Sequence, residues 1–219
     1  MKYIKFTDGR ELQVANIYCI GQNYELHNKE MGTAPHKDIV VFLKPTSSLI
    51  ESGRTAYIPT ISDNMHHEVE MVIAISEDAR NIEPEQAKNY IAGIAIGVDL
   101  TLRDVQKIAK DKGKPWATAK GFYSSAPISE FIPIEELNGF IHTLNLSVNG
   151  EMRQSGNTAD MMNSTEQLVS YISKIFSLQK GDLIFTGTPE GVNRLVSGDK
   201  VRAELADGRI SLNFDVQQA

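Results

Sequence analysis

A chain of 219 residues with 28 acidic and 22 basic side chains, formal net charge −6, is long enough for one domain with a sizeable core. Its hydrophobic fraction of 41% and charged fraction of 23% are those of a soluble globular protein, and its scattered Lys and Arg exclude a nucleic-acid surface, which needs clustered base. No window reaches the roughly 18 to 20 apolar residues of a membrane span, so the sequence predicts a cytoplasmic protein partnered by neither nucleic acid nor membrane.

From the N-terminus, Met1-Lys2-Tyr3-Ile4-Lys5-Phe6 alternates like a strand and leads to a turn at Asp8-Gly9, which reads as folded chain and not as a signal peptide. Further strands are predicted over 11–20, 39–43, 56–59, 67–76, 91–99, 142–149, 182–186, 200–205 and 209–216. Turn signals at Asn149-Gly150, Lys180-Gly181-Asp182, Ser197-Gly198-Asp199 and Asp207-Gly208 separate several of them. Short helices are expected over 23–31, 84–89, 102–112 and 164–176, the third capped by Thr101 with Asp104 three residues on. These elements do not alternate, so a doubly wound parallel sheet is excluded in favour of a mainly β, α+β fold. No repeat or linker divides 1–219, which is expected to be one domain. The lone Cys19 excludes an internal disulfide and, within Ile17-Tyr18-Cys19-Ile20, reads as a small buried hydrophobe.

The first stretch that carries chemistry is the helix after Gly21, where His27 and Glu30 share a face at i and i+3. A carboxylate beside an imidazole fixes its tautomer and raises its basicity, which suits a general base for activating water; the same pair also fits a surface ion pair. Next comes His66-His67-Glu68-Val69-Glu70, running into the apolar Met71-Val72-Ile73-Ala74-Ile75. Residues i and i+2 of a strand point to one face, so Glu68 and Glu70 project together against an interior. Two such carboxylates repel each other and lose hydration, and need a compensating cation. A second apolar run, Ile91 to Val98, ends in Asp99. If the two strands are neighbours, three carboxylates converge, and an all-oxygen set selects a hard divalent ion such as Mg²⁺ or Mn²⁺.

Beyond Asp99, Arg103 and Gln106 lie at i and i+3 on the next helix, able to bind a substrate carboxylate and carbonyl or simply to form a polar face. Lys120 stands isolated among small residues after Trp116; a partly buried ammonium there would stabilise an oxyanion, while a snorkelling side chain is the plainer alternative. Phe185-Thr186-Gly187-Thr188-Pro189-Glu190-Gly191 is a strand entering a Gly/Pro loop with hydroxyls and amides able to hold an anion. It lacks the Gly-Lys-Ser/Thr ending of a P-loop, and the chain has neither a Gly-x-Ser-x-Gly elbow nor a Cys-x-x-Cys pair.

In this order the chain carries Gly21-x-Asn23-Tyr24-x-x-His27-x-x-Glu30, Phe42-x-Lys44-Pro45, His67-Glu68-x-Glu70, Gly97-x-Asp99-x-Thr101-x-Arg103-Asp104, Pro115-Trp116-x-x-Ala119-Lys120, Asn149-Gly150, Gly156-Asn157-Thr158 and Thr186-Gly187-Thr188-Pro189-x-Gly191. The ordered set, spread over about residues 16 to 205, resembles the fumarylacetoacetate hydrolase superfamily, and within it the short acylpyruvate hydrolase and oxaloacetate decarboxylase branch. The resemblance implies a mixed β-roll or sandwich with short peripheral helices, usually as a homodimer. It puts the metal ligands at Glu68, Glu70 and Asp99, binding Mg²⁺ or Mn²⁺ with Ca²⁺ as a crystal substitute. It puts a His27–Glu30 dyad on a helix that orders over the site, Lys120 among the catalytic groups, and Arg103, Gln106 and Thr188 against substrate. Tyr123 departs from the Asp that many relatives carry after Gly-Phe, which implies altered loop packing or specificity.

The activity implied is metal-dependent C–C hydrolysis of acylpyruvates to pyruvate and a carboxylate, with oxaloacetate decarboxylation possible on the same groups. An isomerase or decarboxylase of hydroxydienedioates in aromatic-acid degradation is the alternative enzyme. A catalytically idle metal- or metabolite-binding protein is the alternative from another class.

Overall fold

The computed structural model describes residues 1–32 and 38–219. Its centre is the antiparallel pair Val69–Ile75 and Ile91–Val98, with Met71 opposite Ile96 and Ile73 opposite Ile94. Every residue of Val69–Ile75 is buried, as expected of a strand covered on both faces, and the unbroken apolar run Met71–Ile75 is that covering seen in sequence. Leu183–Phe185 pairs antiparallel to this strand on one edge and parallel to Ile17–Gly21 on the other. Val40–Lys44, Ala126–Ile128, Ile132–Pro133 and Leu49–Glu51 complete an eight-stranded sheet. A five-stranded sheet runs Glu151–Asn157, Thr143–Val148, Lys200–Leu205, Ile210–Gln218, Thr55–Ile58. Its strands alternate, burying Leu144, Leu146 and Val148 from one and Val201, Ala203 and Leu205 from the next. Those side chains join Ile73, Ile94 and Ile96 in one apolar cluster, so the second sheet closes over the first.

Packing of the central pair demands glycine at 97. A Cβ there would lie 2.7 Å from the Phe185 ring and 2.8 Å from Val72. The two longest α-helices among the described residues lie outside the sheets. Arg103–Asp111 leaves the end of Ile91–Val98, and Thr165–Ile175 starts at a Ser164/Gln167 capping box and buries Leu168, Val169 and Ile172. The mainly β, α+β architecture expected from sequence is the one observed.

Particular elements differ. The strand predicted over 11–20 is two, Glu11–Gln13 and Ile17–Gly21, divided where the chain crosses from a small hairpin with Tyr3–Lys5 into the main sheet. Pro84–Tyr90 is a 3₁₀ helix. Strands Leu49–Glu51, Ala126–Ile128 and Glu151–Asn157 and the helical turn Ala117–Lys120 go unpredicted. Ala126–Ile128 contains Pro127 and Glu151–Asn157 buries little, so neither carries strand chemistry in sequence.

Asp182 ties the two ends of the chain together. Fully buried, it accepts from the backbone N–H and side-chain amide of Asn16 at 2.9 and 2.8 Å, and from the Gln179 N–H at 2.7 Å. Burial pushes its carboxyl pKa up, against the pull of those donors. Asp182→Ala strands the donors and should cost about 2 to 3 kcal/mol, read as a lower urea midpoint at unchanged slope. A shift within experimental error would show the anchor to be dispensable.

Candidate active site

The five-residue strand Ile17–Gly21, the central pair and the loop after Leu183–Phe185 end together at one edge of the main sheet. There the chain places Glu68, Glu70 and Asp99, all buried, with a carboxylate oxygen from each within 4.8 Å of the others. Glu70 sits opposite Gly97 in the ladder, and the Asp99 N–H donates to the Glu68 carbonyl at 2.8 Å, so register alone brings the three acids together.

Three buried or half-buried cations answer them. Lys120 Nζ donates to Glu68 Oε2 at 2.6 Å, Asp99 Oδ2 at 2.5 Å and the Thr101 hydroxyl at 2.6 Å, and lies over the Phe42 ring. Arg103 pairs with Glu68 Oε1 and donates to Gln106 Oε1 at 3.0 Å. Lys44 lies 2.7 Å from Asp99 Oδ1 and donates to the carbonyls of Ser125 and Lys120. Burial works against the Glu68 anion, but Arg103 and Lys120 hold its carboxyl well below the ordinary glutamate value. Burial also works against the Lys120 ammonium, and Asp99 and Glu68 keep it above the ordinary lysine value.

Glu70 differs. Among the described residues its one hydrogen bond comes from the Gly187 N–H at 2.8 Å, and no lysine or arginine pairs with it. Burial, then the charges of Asp99 and Glu68, push its carboxyl well above the ordinary value. A buried acid repelled by two others, with only oxygen donors around it, fits a hard divalent cation. Gly187 is at φ +98° and a Cβ would come within 2.8 Å of Asn23, so only glycine can offer this N–H in this place. Asn23 in turn is buried and donates to the Thr186 carbonyl at 2.9 Å.

Helix Glu25–Glu30 forms the wall opposite the acids. His27 is buried and its Nδ1 lies 3.2 Å from Glu30 Oε2, while the Gly191 N–H donates to Glu30 Oε1 at 3.1 Å. With Nδ1–H donating to Glu30, Nε2 keeps the free lone pair. Burial lowers the His27 pKa, so the ring is neutral near pH 7.

One cavity is lined by Glu68, Glu70, Asp99, His27, Lys120 and Arg103, with Gln106 and Thr188 also on its wall; Glu30 stands behind His27. Every site residue expected from sequence is therefore in one place. Of the open alternatives, Lys120 is buried and not snorkelling, and the His27 ring is interior. Tyr123 is exposed and stacks on Tyr57, with ring centroids 6.2 Å apart, away from the cavity lining. Cys19 is buried, as expected.

Two residues escaped the sequence reading. Lys44 stood in the motif Phe42-x-Lys44-Pro45 but was given no role. Gln154, almost the only buried side chain of Glu151–Asn157, accepts from the Val69 N–H at 3.1 Å and lies 2.8 Å from His67 Nδ1. It donates to the Thr188 hydroxyl and the Pro189 carbonyl, both at 2.9 Å, and so locks the last loop to the acid-bearing strand. The hairpin turn Asn149-Gly150, with both residues at positive φ, was its one sequence signal.

Among the described residues no helix is long and apolar enough to cross a membrane. The family described as fumarylacetoacetate (FAA) hydrolase, C-terminal, matches residues 16–216. Oxaloacetate tautomerase YcgM of Escherichia coli K12 is 45% identical over 190 residues, 86% of this chain and 87% of that protein. The mitochondrial oxaloacetate tautomerase FAHD1 of Mus musculus is 42% identical over 206 residues, 93% of this chain and 92% of that one. The crystal structure of fumarylpyruvate hydrolase from Pseudomonas aeruginosa, in complex with Mn²⁺ and pyruvate, superposes with a TM-score of 0.93 at 33% identity, covering 100% of this chain and 96% of that chain.

Proposed function

Because this chain belongs to the fumarylacetoacetate hydrolase family, we propose that it is an enzyme of 2-oxo acids working with one divalent cation, and that it interconverts the keto and enol forms of oxaloacetate. The observation that carries this reading is the single cavity in which a neutral, buried His27 backed by Glu30 faces three clustered carboxylates and Lys120. Identity of 45% and 42% to two oxaloacetate tautomerases supports the choice of substrate.

In this reading Glu68, Glu70 and Asp99 hold Mg²⁺ or Mn²⁺. The bound ion supplies Lewis-acid stabilisation of negative charge on substrate oxygen. His27 Nε2 removes a proton from C3 of the keto acid, the C3–H electrons form the C2–C3 double bond, and negative charge moves to the C2 oxygen. Lys120 and Gln106 stabilise that oxygen until it takes up the proton carried by the His27 imidazolium, which gives the enol and restores neutral His27; the same steps in reverse return the proton to C3 and give the keto acid. Glu30 keeps the ring in the tautomer that presents Nε2. Arg103 and Thr188 orient the carboxylate. The protein works as a cytoplasmic homodimer.

A second reaction is favoured by the likeness to the Pseudomonas hydrolase. With an acylpyruvate bound, His27 takes a proton from water, the water oxygen adds to the distal carbonyl, and the C3–C4 bond breaks with its electron pair going to C3 as the enolate of pyruvate; the proton held on His27 then goes to C3, leaving pyruvate and a carboxylate. The test is a panel of enol-oxaloacetate, keto-oxaloacetate, acetylpyruvate and fumarylpyruvate, each with Mg²⁺ and with Mn²⁺. The highest kcat/KM is expected for oxaloacetate interconversion. No turnover of any member with either ion would leave a metabolite-binding protein instead.

A further inference from the structure

Helix Arg103–Asp111 presents Arg103, Gln106 and Lys110 to the cavity at i, i+3 and i+7, one stripe along one face. Beside this stripe the exposed Lys107 pairs with Asp111 at 2.8 Å. The stripe spreads over about 10 Å of cavity wall at 1.5 Å rise per residue. All three offer donors inward. Arg103 and Lys110 have no acceptor atoms, and the Gln106 carbonyl oxygen is already taken by Arg103.

The cations around the cavity differ in what they already hold. Arg103 is pinned to Glu68, Lys120 to Glu68 and Asp99, and Lys44 behind them to Asp99. Lys110, exposed at the rim, has no carboxylate among the described residues. Its Nζ rests over the Trp116 ring, 5.1 Å from the centroid. Its surroundings, partial burial and the like charges of Arg103 and Lys120, hold its pKa below the ordinary lysine value, the mark of a rim that wants an anion.

We propose that Lys110 is a specificity-determining residue that selects 2-oxo acids carrying a second carboxylate at the far end from the 2-oxo group. The inference rests on the reading of this cavity as a 2-oxo acid site and narrows it to dicarboxylic substrates. The acid's 2-oxo end meets the groups around the three carboxylates, and its distal carboxylate meets the Lys110 ammonium held on Trp116. Arg103, paired with Glu68 beside the three acids, serves the carboxylate next to the 2-oxo group and not the distal one.

The test compares wild type with Lys110→Met and Lys110→Arg. In Lys110→Met the kcat/KM for oxaloacetate or fumarylpyruvate, relative to acetylpyruvate, should fall about tenfold, mostly through KM, as expected for one charge-assisted contact at a solvent-screened rim. Lys110→Arg should restore the ratio to within about threefold, and the wild-type preference should shrink as salt rises. A second readout needs no turnover: calorimetric binding of 2-oxoglutarate against 2-oxopentanoate, which differ by the distal carboxylate, with Mn²⁺ present. Wild type should bind the dicarboxylate more tightly and Lys110→Met should bind the two alike. A wild type that turns over none of the substrates yet keeps this binding preference would sink the proposed reaction and leave the Lys110 assignment standing. An unchanged ratio in Lys110→Met, an equal fall for all substrates, or no binding preference in wild type would overturn the assignment itself.

Discussion

If Glu68, Glu70 and Asp99 hold the divalent ion as proposed, Glu70→Ala should lower affinity for Mg²⁺ or Mn²⁺ by more than about 100-fold and remove turnover with it, since losing a partner that only steadies a metal ligand already costs 10- to 100-fold. Among the described residues Glu70 is the acid of the three that no lysine or arginine pairs with, held by a single N–H from Gly187. Once it is gone, Lys120, Arg103 and Lys44 face two carboxylates, and the local charge turns against a cation. Glu70→Gln separates ligation from folding. It keeps the volume and an oxygen for the Gly187 N–H but not the charge, and should lose metal almost as completely while melting near wild type. Calorimetric titration measures the affinity. The ion should raise the melting temperature of wild type only, because it binds the folded state. Wild-type affinity in Glu70→Ala would refute the assignment of the three acids.

His27→Ala is expected to cost oxaloacetate interconversion and acylpyruvate hydrolysis about 10² to 10⁴ in kcat/KM, the usual contribution of a positioned general base. Oxaloacetate decarboxylation, if present, needs no proton removed by a base and should fall less. Because burial disfavours the imidazolium, the base form persists to more acid pH than in an ordinary histidine. The acid limb assigned to His27 should therefore lie below 6.5 and disappear in the variant. Equal kcat/KM in variant and wild type for hydrolysis would remove His27 from the chemistry. Equal losses in all activities would show that His27 acts by seating its helix over the cavity, through Glu30 and Gly191.

Much of the site was legible because its chemistry breaks the local pattern. Acids at i and i+2 on the threshold of an apolar run, and Asp99 closing another, are costly in an interior, and pairing of the two runs brought them together. The His27–Glu30 spacing was likewise local. The role of Lys44, quoted only as part of a motif, and Gln154 altogether were not legible because each acts across the fold. Gln154 reaches Thr188, 34 positions on, from a strand whose other side chains mostly face outward and leave no apolar period. The fold class followed from alternation in the long strands. The short piece Ala126–Ile128 is set between Ile91–Val98 and Leu49–Glu51, and Leu49–Glu51 is a strand by its parallel pairing with it, a tertiary condition that no window contains.

The pairing of Leu183–Phe185 with Ile17–Gly21 has a kinetic consequence. Asn16 and Asp182 stand 166 positions apart, yet their strands are neighbours, and the loop bearing Gly187 and Thr188 follows directly from that contact. A parallel pairing of such separation demands loop closure before any reward, so refolding should be slow and should not accelerate when metal is added. The cavity is complete only after the two ends of the chain have met. An ion that binds it then acts on the escape rate, prolonging the native lifetime without hastening its formation.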